Sequence, residues 1–280
     1  MYNKCIEVKS EGAAAKEAHR AIERAPRQDP GACFKQYMFQ SFILMLGFFT
    51  RIPVPQIEYT EERYVKGIPL LPFVGAVSGG LLWCVFQLSR WLPMPVVALL
   101  IFLAYLLITG GLHLDGLGDS CDALFSARDP EKMLEIMKDS RSGSFGVLGL
   151  IAASAAYLIL LSYAPWQAVL LFPVVGKVTP ALCSNWAPYI RAKGMAELFC
   201  QNATKGVLAF DLLLCIAGGF ALGIPVGIAA VIALFACIAV VLRVKHILGG
   251  ITGDILGLAC ETAQLVFLFV CVVFSARGLL

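Results

Sequence analysis

Apolar residues in this chain come in runs whose length approaches the thickness of a bilayer, and no other feature of the sequence constrains the fold as tightly. Such runs cover residues 68–89, 94–108, 145–162, 166–182, 207–222, 226–242 and 255–274. They lack the helical or alternating spacing of a half-buried surface. At 59% hydrophobic and 15% charged residues, with a mean hydropathy of +0.80, the chain is far more apolar than a globular domain, for which roughly 45–50% is usual. In hydrocarbon every backbone N–H and C=O must find a partner inside the protein. The expected fold is therefore all-α, a polytopic integral membrane helix bundle of about seven transmembrane helices. Residues 38–50 are apolar over only about 13 positions, short of the roughly 17–25 needed to span, and are expected to form a short interfacial or re-entrant helix.

The joints between runs differ in charge. Those over residues 51–66, 113–142, 183–205 and 243–254 carry the Lys and Arg, whereas the turns around Trp91, Pro165 and Gly223 are tight and poor in ions. The positive-inside rule places the basic joints on the cytoplasmic side, so the ionisable chemistry is expected to face the cytoplasm. A net charge of +3 without a Lys/Arg block gives no reason to expect nucleic acid. The ten cysteines include no C-x-x-C pair and read as small buried hydrophobes in a reducing setting. Residues 1–36 are a polar extension without a signal-peptide core, with a surface helix expected over 11–24. Residues 37–280 are expected to form one membrane-embedded domain.

One stretch breaks the oil. Residues 109–149 hold Asp115, Asp119, Asp122 and Asp139 together with His113, Lys138 and Arg141. If residues 112–124 are helical, Asp115, Asp119 and Asp122 fall at i, i+4 and i+7 on one face, within about 10 Å of helix rise. Carboxylates so close repel one another near a membrane unless a cation neutralises them. Hard oxygen donors without a thiolate or His pair point to Mg²⁺, with Mn²⁺ or a metal pair as variants. A solvated acidic face is the bland alternative, but Leu112, Leu114, Leu117 and Leu124 interleave the acids. Gly110 and Gly111 leave room for a bulky group to approach the backbone. Lys138 and Arg141, with Ser140, Ser142 and Ser144, suit phosphate oxygens. Simple positive-inside charge would also account for the two cations, though not for Asp139 between them. Farther on, Asp254 and Glu261 lie seven residues apart in the last apolar run, and an ionisable group inside a span is a functional candidate.

Several motifs resemble the cobalamin synthase, or adenosylcobinamide-GDP ribazoletransferase, family. They are F-F-T-R-I-P-V-P at residues 48–55, P-F-V-G at 72–75, T-G-G-L-H-L-D-G-L-G-D-S-C-D at 109–122, L-E-I-M-K-D-S-R-S-G-S-F-G-V-L at 134–148 and G-G-I-T-G-D-I-L-G at 249–257. The resemblance runs in order from about Phe39 to the end of the chain, and departs where the family often has an Arg near Lys177. It implies an Mg²⁺-dependent transferase in the cytoplasmic (inner) membrane of a prokaryote. The reaction it implies joins adenosylcobinamide-GDP to α-ribazole or its 5′-phosphate, releasing GMP. On this reading Asp115, Asp119 and Asp122 hold Mg²⁺, and Lys138 and Arg141 offset charge on GMP. His113 or Asp139 is the base, while Arg51, Gly110, Gly111, Ser140, Ser142, Ser144, Asp254 and Glu261 bind substrate. Self-association, or association with other enzymes of cobalamin assembly, is a further expectation.

Two other readings stay open at this point. A CDP-alcohol phosphotransferase also uses clustered aspartates, but the Ala-Arg that should follow its Asp-Gly is missing after Asp115-Gly116. A cation-coupled transporter also carries intramembrane acids, though here they gather at one membrane face and no pair of similar halves is evident.

Overall fold

A computed structural model describes residues 30–139, 141–191 and 195–280, without the side chains of 30–34 and 195. The helix expected over residues 11–24 and the site candidate Ser140 lie outside the described residues. The chain divides into two compact units, Met1–Phe39 and Gln40–Leu280. In the first, residues 30–39 are helical and open α1 (Pro30–Phe49). The second contains the rest of the molecule, including every apolar run and the acidic stretch.

Within it come α2 (Glu61–Gly67), a 3-10 turn at Ile68–Leu70 and α3 (Leu71–Phe86), which run on as one span over Glu61–Arg90. Then follow α4 (Met94–Thr109), α5 (Leu112–Phe125) and the short α6 (Pro130–Ile136). The bundle is completed by α7 (Ser144–Tyr163), α8 (Trp166–Trp186), α9 (Met195–Asn202), α10 (Lys205–Leu222), α11 (Ile224–Leu248) and α12 (Gly253–Ala276). Among the described residues six helices are long and apolar enough to cross a membrane, and a seventh span arises if α4 and α5 count as one bent element. This is the polytopic helical bundle the sequence predicts, and the second apolar run leads into α5 through a 91° bend. Among the described residues there is no strand, only an isolated parallel bridge between Tyr189 and Ile251.

The bend has a local cause. Gly110 and Gly111 are both left-handed, with φ of +63° and +70°, a backbone state that side-chain-bearing residues avoid. Two such residues in succession end α4 and redirect the chain into α5. On the other side of the bend, the Arg51 N–H donates to the Ile108 carbonyl at 2.7 Å, and the Arg51 side chain covers Gly110.

Helix α8 is the central post. It buries 83% of its most apolar window, against 22% for α7 and 17% for α10, and packs on α3, α10, α11 and α12. Pro173 and Pro180 sit inside it without breaking it. Pro180 has no N–H to offer the Gly176 carbonyl, and the Thr179 hydroxyl donates to that carbonyl instead at 2.7 Å. Where α3 meets α8 the two backbones touch, because in lipid small residues and close van der Waals contact replace the hydrophobic drive between helices. A Cβ on Gly79 would overlap the Leu170 carbonyl, while one on neighbouring Gly80 would meet nothing within 4 Å.

This contrast gives a test of the packing. Gly79→Ala should lower stability in detergent by about 1–3 kcal/mol through overpacking, seen as a lower Tm. Gly80→Ala should leave Tm unchanged or slightly raised, since alanine favours the helix by about 0.5–1 kcal/mol. Equal behaviour of the two variants would contradict the α3–α8 contact.

Candidate active site

The acidic stretch is helical as expected: α5 spans Leu112–Phe125. Its buried face consists of His113, Leu114, Gly116, Leu117, Gly118, Ser120, Cys121 and Ala123, leaving Asp115 exposed and Asp119 and Asp122 half-buried. This face lies on α12 at a contact between backbones. A Cβ on Gly116 would come within 2.9 Å of the Asp254 carbonyl oxygen, and one on Gly257 within 2.8 Å of the His113 carbonyl oxygen. The crossing sets Asp254, at the start of α12, against the aspartates of α5. Asp119 lies within electrostatic reach of Asp115, Asp254, Asp122 and Arg191.

Arg191 arrives by a different route. The segment after α8 is stitched to the turn before α12 by hydrogen bonds from Ile190 N–H to the Ile251 carbonyl (3.0 Å) and from Ile251 N–H to the Pro188 carbonyl (2.9 Å). This places Arg191 Nη2 at 2.8 Å from Asp254 Oδ2, an ion pair without the alignment of a full hydrogen bond. The Thr252 hydroxyl accepts from the Ile255 N–H as the α12 N-cap.

A cleft of about 220 Å³ opens beside the crossing. Phe48, Phe49, Tyr64 and Phe199 line it on one side, and His113, Asp115, Gly116, Asp254 and Gly257 on the other. The lining draws on all four basic joints, which therefore share one end of the bundle. A second depression lies at the other end of α5, lined by Asp122, Ile136, Asp139, Arg141, Ser142, Gly143, Ser144 and Phe145. The row Asp115, Asp119, Asp122 runs from the first to the second.

The other candidates divide between these places. Both oxygens of Asp122 accept backbone N–H groups at the start of α7, from Gly143 at 2.7 Å and Gly146 at 2.8 Å. Arg141 forks onto Asp139 through Nη2 at 2.6 Å and Nε at 3.0 and 3.2 Å, which holds the exposed Asp139 carboxyl down to about 2. A carboxylate so held stays ionised and is a weak base. Lys138 is exposed near that knot and does not line the depression. Arg51, also exposed, guards the bend. Glu261 lies outside both linings. It is fully buried between α4, α7 and α12, and accepts hydrogen bonds from the hydroxyls of Tyr105 and Tyr157, both at 2.6 Å.

Sequence reasoning did not find Arg191, or the tyrosines that clasp Glu261. It also left Lys177 without a role, although a lysine inside a span is itself a signal. Lys177 is buried in α8, with Nζ 2.8 Å from His113 Nε2. Asp211, buried in α10 with neither oxygen hydrogen-bonded among the described residues, was likewise not singled out.

Among the described residues no three His, Cys, Asp or Glu side chains converge as a ready-made metal cage. That suits Mg²⁺, which keeps most of its waters and is held by one or two carboxylates plus substrate phosphates. Asp115 and Asp119 stand one turn apart with no hydrogen bond or ion pair to either carboxylate among the described residues, a donor set that fits such an ion.

Asp122 yields a prediction independent of any activity. Asp122→Ala should raise amide hydrogen exchange at Gly143 and Gly146 by about 5-fold, the equivalent of about 1 kcal/mol for a lost cap, and Asp122→Asn should do so less. Unchanged exchange would show that Asp122 does not anchor α7.

Comparison with known proteins bears on what this arrangement does. A family model described as cobalamin-5-phosphate synthase matches residues 41–272. Proteins named adenosylcobinamide-GDP ribazoletransferase are similar along most of their length. That of Alkaliphilus oremlandii is 39% identical over 239 residues, 82% of this chain and 95% of the relative. That of Acetivibrio thermocellus is 40% identical over 241 residues, 83% and 97% respectively. The Clostridium acetobutylicum protein is 35% identical over 240 residues, 82% and 94%. No solved structure matches the chain.

Proposed function

Because the chain belongs to the cobalamin-5-phosphate synthase family, we propose that it is an Mg²⁺-dependent transferase joining adenosylcobinamide-GDP to α-ribazole or α-ribazole 5′-phosphate, with the site on the cytoplasmic face of a prokaryotic inner membrane. The observation that carries the reading is the carboxylate row of α5, lying between an aromatic cleft and a depression edged by Arg141 and Ser142. A substrate with a pyrophosphate in its middle and a different group at each end matches a site of this shape. The same arrangement gives no support to a transporter, whose acids would line a path between two faces.

In the reaction a ribose hydroxyl that is free in both acceptors, and so not the 5′ one, attacks the phosphorus that carries the cobinamide arm. A new P–O bond forms, the P–O–P link breaks, and GMP departs. Phe48, Tyr64 and Phe199 offer flat apolar surface to the aromatic base of the incoming alcohol. Asp115 and Asp119 would hold Mg²⁺, which when bound offsets charge on the pyrophosphate oxygens. Arg141, its charge partly met by Asp139, and the hydroxyls of Ser142 and Ser144 face the departing GMP in the second depression. Arg191 pairs with Asp254 and holds it at the crossing. The proton of the attacking hydroxyl passes to a carboxylate of the cleft, Asp115 or Asp254.

Purified protein given adenosylcobinamide-GDP, α-ribazole and Mg²⁺ should release GMP and form the corresponding cobalamin, and chelation should stop it. Asp119→Asn should cut turnover by at least about 10–100-fold, the range known for groups that merely support metal ligands. Near wild-type GMP release from Asp119→Asn would remove Asp119 from the metal site. Failure of the wild-type protein to turn over would contradict the activity.

A further inference from the structure

Behind the cleft lies a polar chain that the reaction above does not use. Its first link is the 2.8 Å contact of Lys177 Nζ with His113 Nε2. Lys177 is 4% exposed and His113 7%, so water cannot substitute for either partner. Phe49 confines the pair, with its ring centroid 5.4 Å from Lys177 Nζ and 6.3 Å from that of His113. Lys177 and Glu261 lie within electrostatic reach of each other. Tyr105 and Tyr157 hold the Glu261 carboxylate from two helices, and Gln264 Nε2 donates to the Tyr105 hydroxyl at 2.9 Å. Five elements thus place a cation at one ring nitrogen of a histidine that lines the cleft.

The chemistry of the contact is one-sided. An ammonium has three donors and no acceptor. With Lys177 as an ammonium, Nε2 must be the acceptor. The imidazole proton then belongs on Nδ1. Such a ring has no lone pair left with which to take a proton from an alcohol, and what it can offer the cleft is an N–H.

We propose that Lys177 is a positioning residue which, with Glu261 as its counter-charge, fixes His113 in the Nδ1–H tautomer, so that the imidazole meets the substrate as a hydrogen-bond donor to a phosphoryl oxygen and not as the base. The donor's ligand rests on the transferase reading; the tautomer does not. An N–H aimed at an oxygen that gains charge during transfer stabilises the transition state more than the bound substrate. The cost of burying Lys177 and Glu261 in the bundle is offset by their mutual attraction and by the tyrosine hydroxyls.

Nitrogen-15 NMR of histidine-labelled protein in detergent tests the tautomer directly. The chain has three histidines, and the His113 signal is the one absent from His113→Gln. Wild-type protein should show His113 protonated at Nδ1. Lys177→Met should shift the proton to Nε2, the form favoured by an unconstrained imidazole. Because Lys177→Met leaves Glu261 unpaired and could unfold the bundle, the double variant Lys177→Met/Glu261→Gln provides a second route, with both charges gone and Tm restored. It should still lack the Nδ1–H form, and its kcat should remain down by on the order of 100-fold, as for loss of one transition-state donor. KM for both substrates should stay within about threefold of wild type. Lys177→Arg, which keeps a charged donor, should recover part of kcat. An Nε2–H tautomer in wild type, or full kcat in the double variant, would overturn the proposal. A wild-type protein that shows the Nδ1–H form yet releases no GMP would count against the transferase reading alone.

Discussion

The polar end of this molecule depends on how closely α5 can lie on α12. Gly116 and Gly257 are the points of nearest approach, each facing backbone atoms of the other helix or of His113. In a bilayer such contacts replace the apolar drive that would press helices together in water. The approach is open only because Gly110 and Gly111 turn the chain through 91° at the end of α4. Without that bend, α5 would continue along α4 and carry its three carboxylates away from α12. With it, they lie across the end of the bundle, beside the four basic joints.

Two kinds of ion result, with different work. Among the described residues Asp115 and Asp119 have no hydrogen-bond or ion-pair partner and stand one turn apart on α5. Asp122, Asp139, Asp254 and Glu261 already have partners: the α7 amides, Arg141, Arg191 and the two tyrosines. These partnered acids hold elements in place, so removing their partners leaves a charge stranded, which costs more than the pair contributes. Asp115 and Asp119, in contrast, repel each other as like charges one turn apart. The division follows from burial and neighbours, since the side chains are alike.

Local periodicity made part of this legible in the sequence. The spacing of Asp115, Asp119 and Asp122 required one helical face, and the lengths of the apolar runs required a bundle. Long-range partners were not legible. Glu261 shares a face with Asp254 by spacing, but seven residues of helix carry it about 10 Å deeper, where it meets Tyr105 and Tyr157 instead of the cleft. Arg191 reaches Asp254 through a bridge between two irregular segments, which carries no periodic signal. Lys177 and His113 are 64 residues apart, joined only because α8 is the post on which α12 and the neighbouring helices pack. The 109–149 stretch serves two depressions, because α5 is long enough to separate its ends.

The central claim is that catalysis depends on the α5–α12 crossing, which sets Asp254 against the aspartates of α5. Its most direct measurement is the rate of GMP release by Gly116→Val, compared with its folding in detergent. A valine Cβ would fall 2.9 Å from the Asp254 carbonyl oxygen and wedge the helices apart. The account predicts a folded protein whose transfer rate has collapsed, with all carboxylates still present. A folded Gly116→Val protein that transfers at the wild-type rate would contradict it.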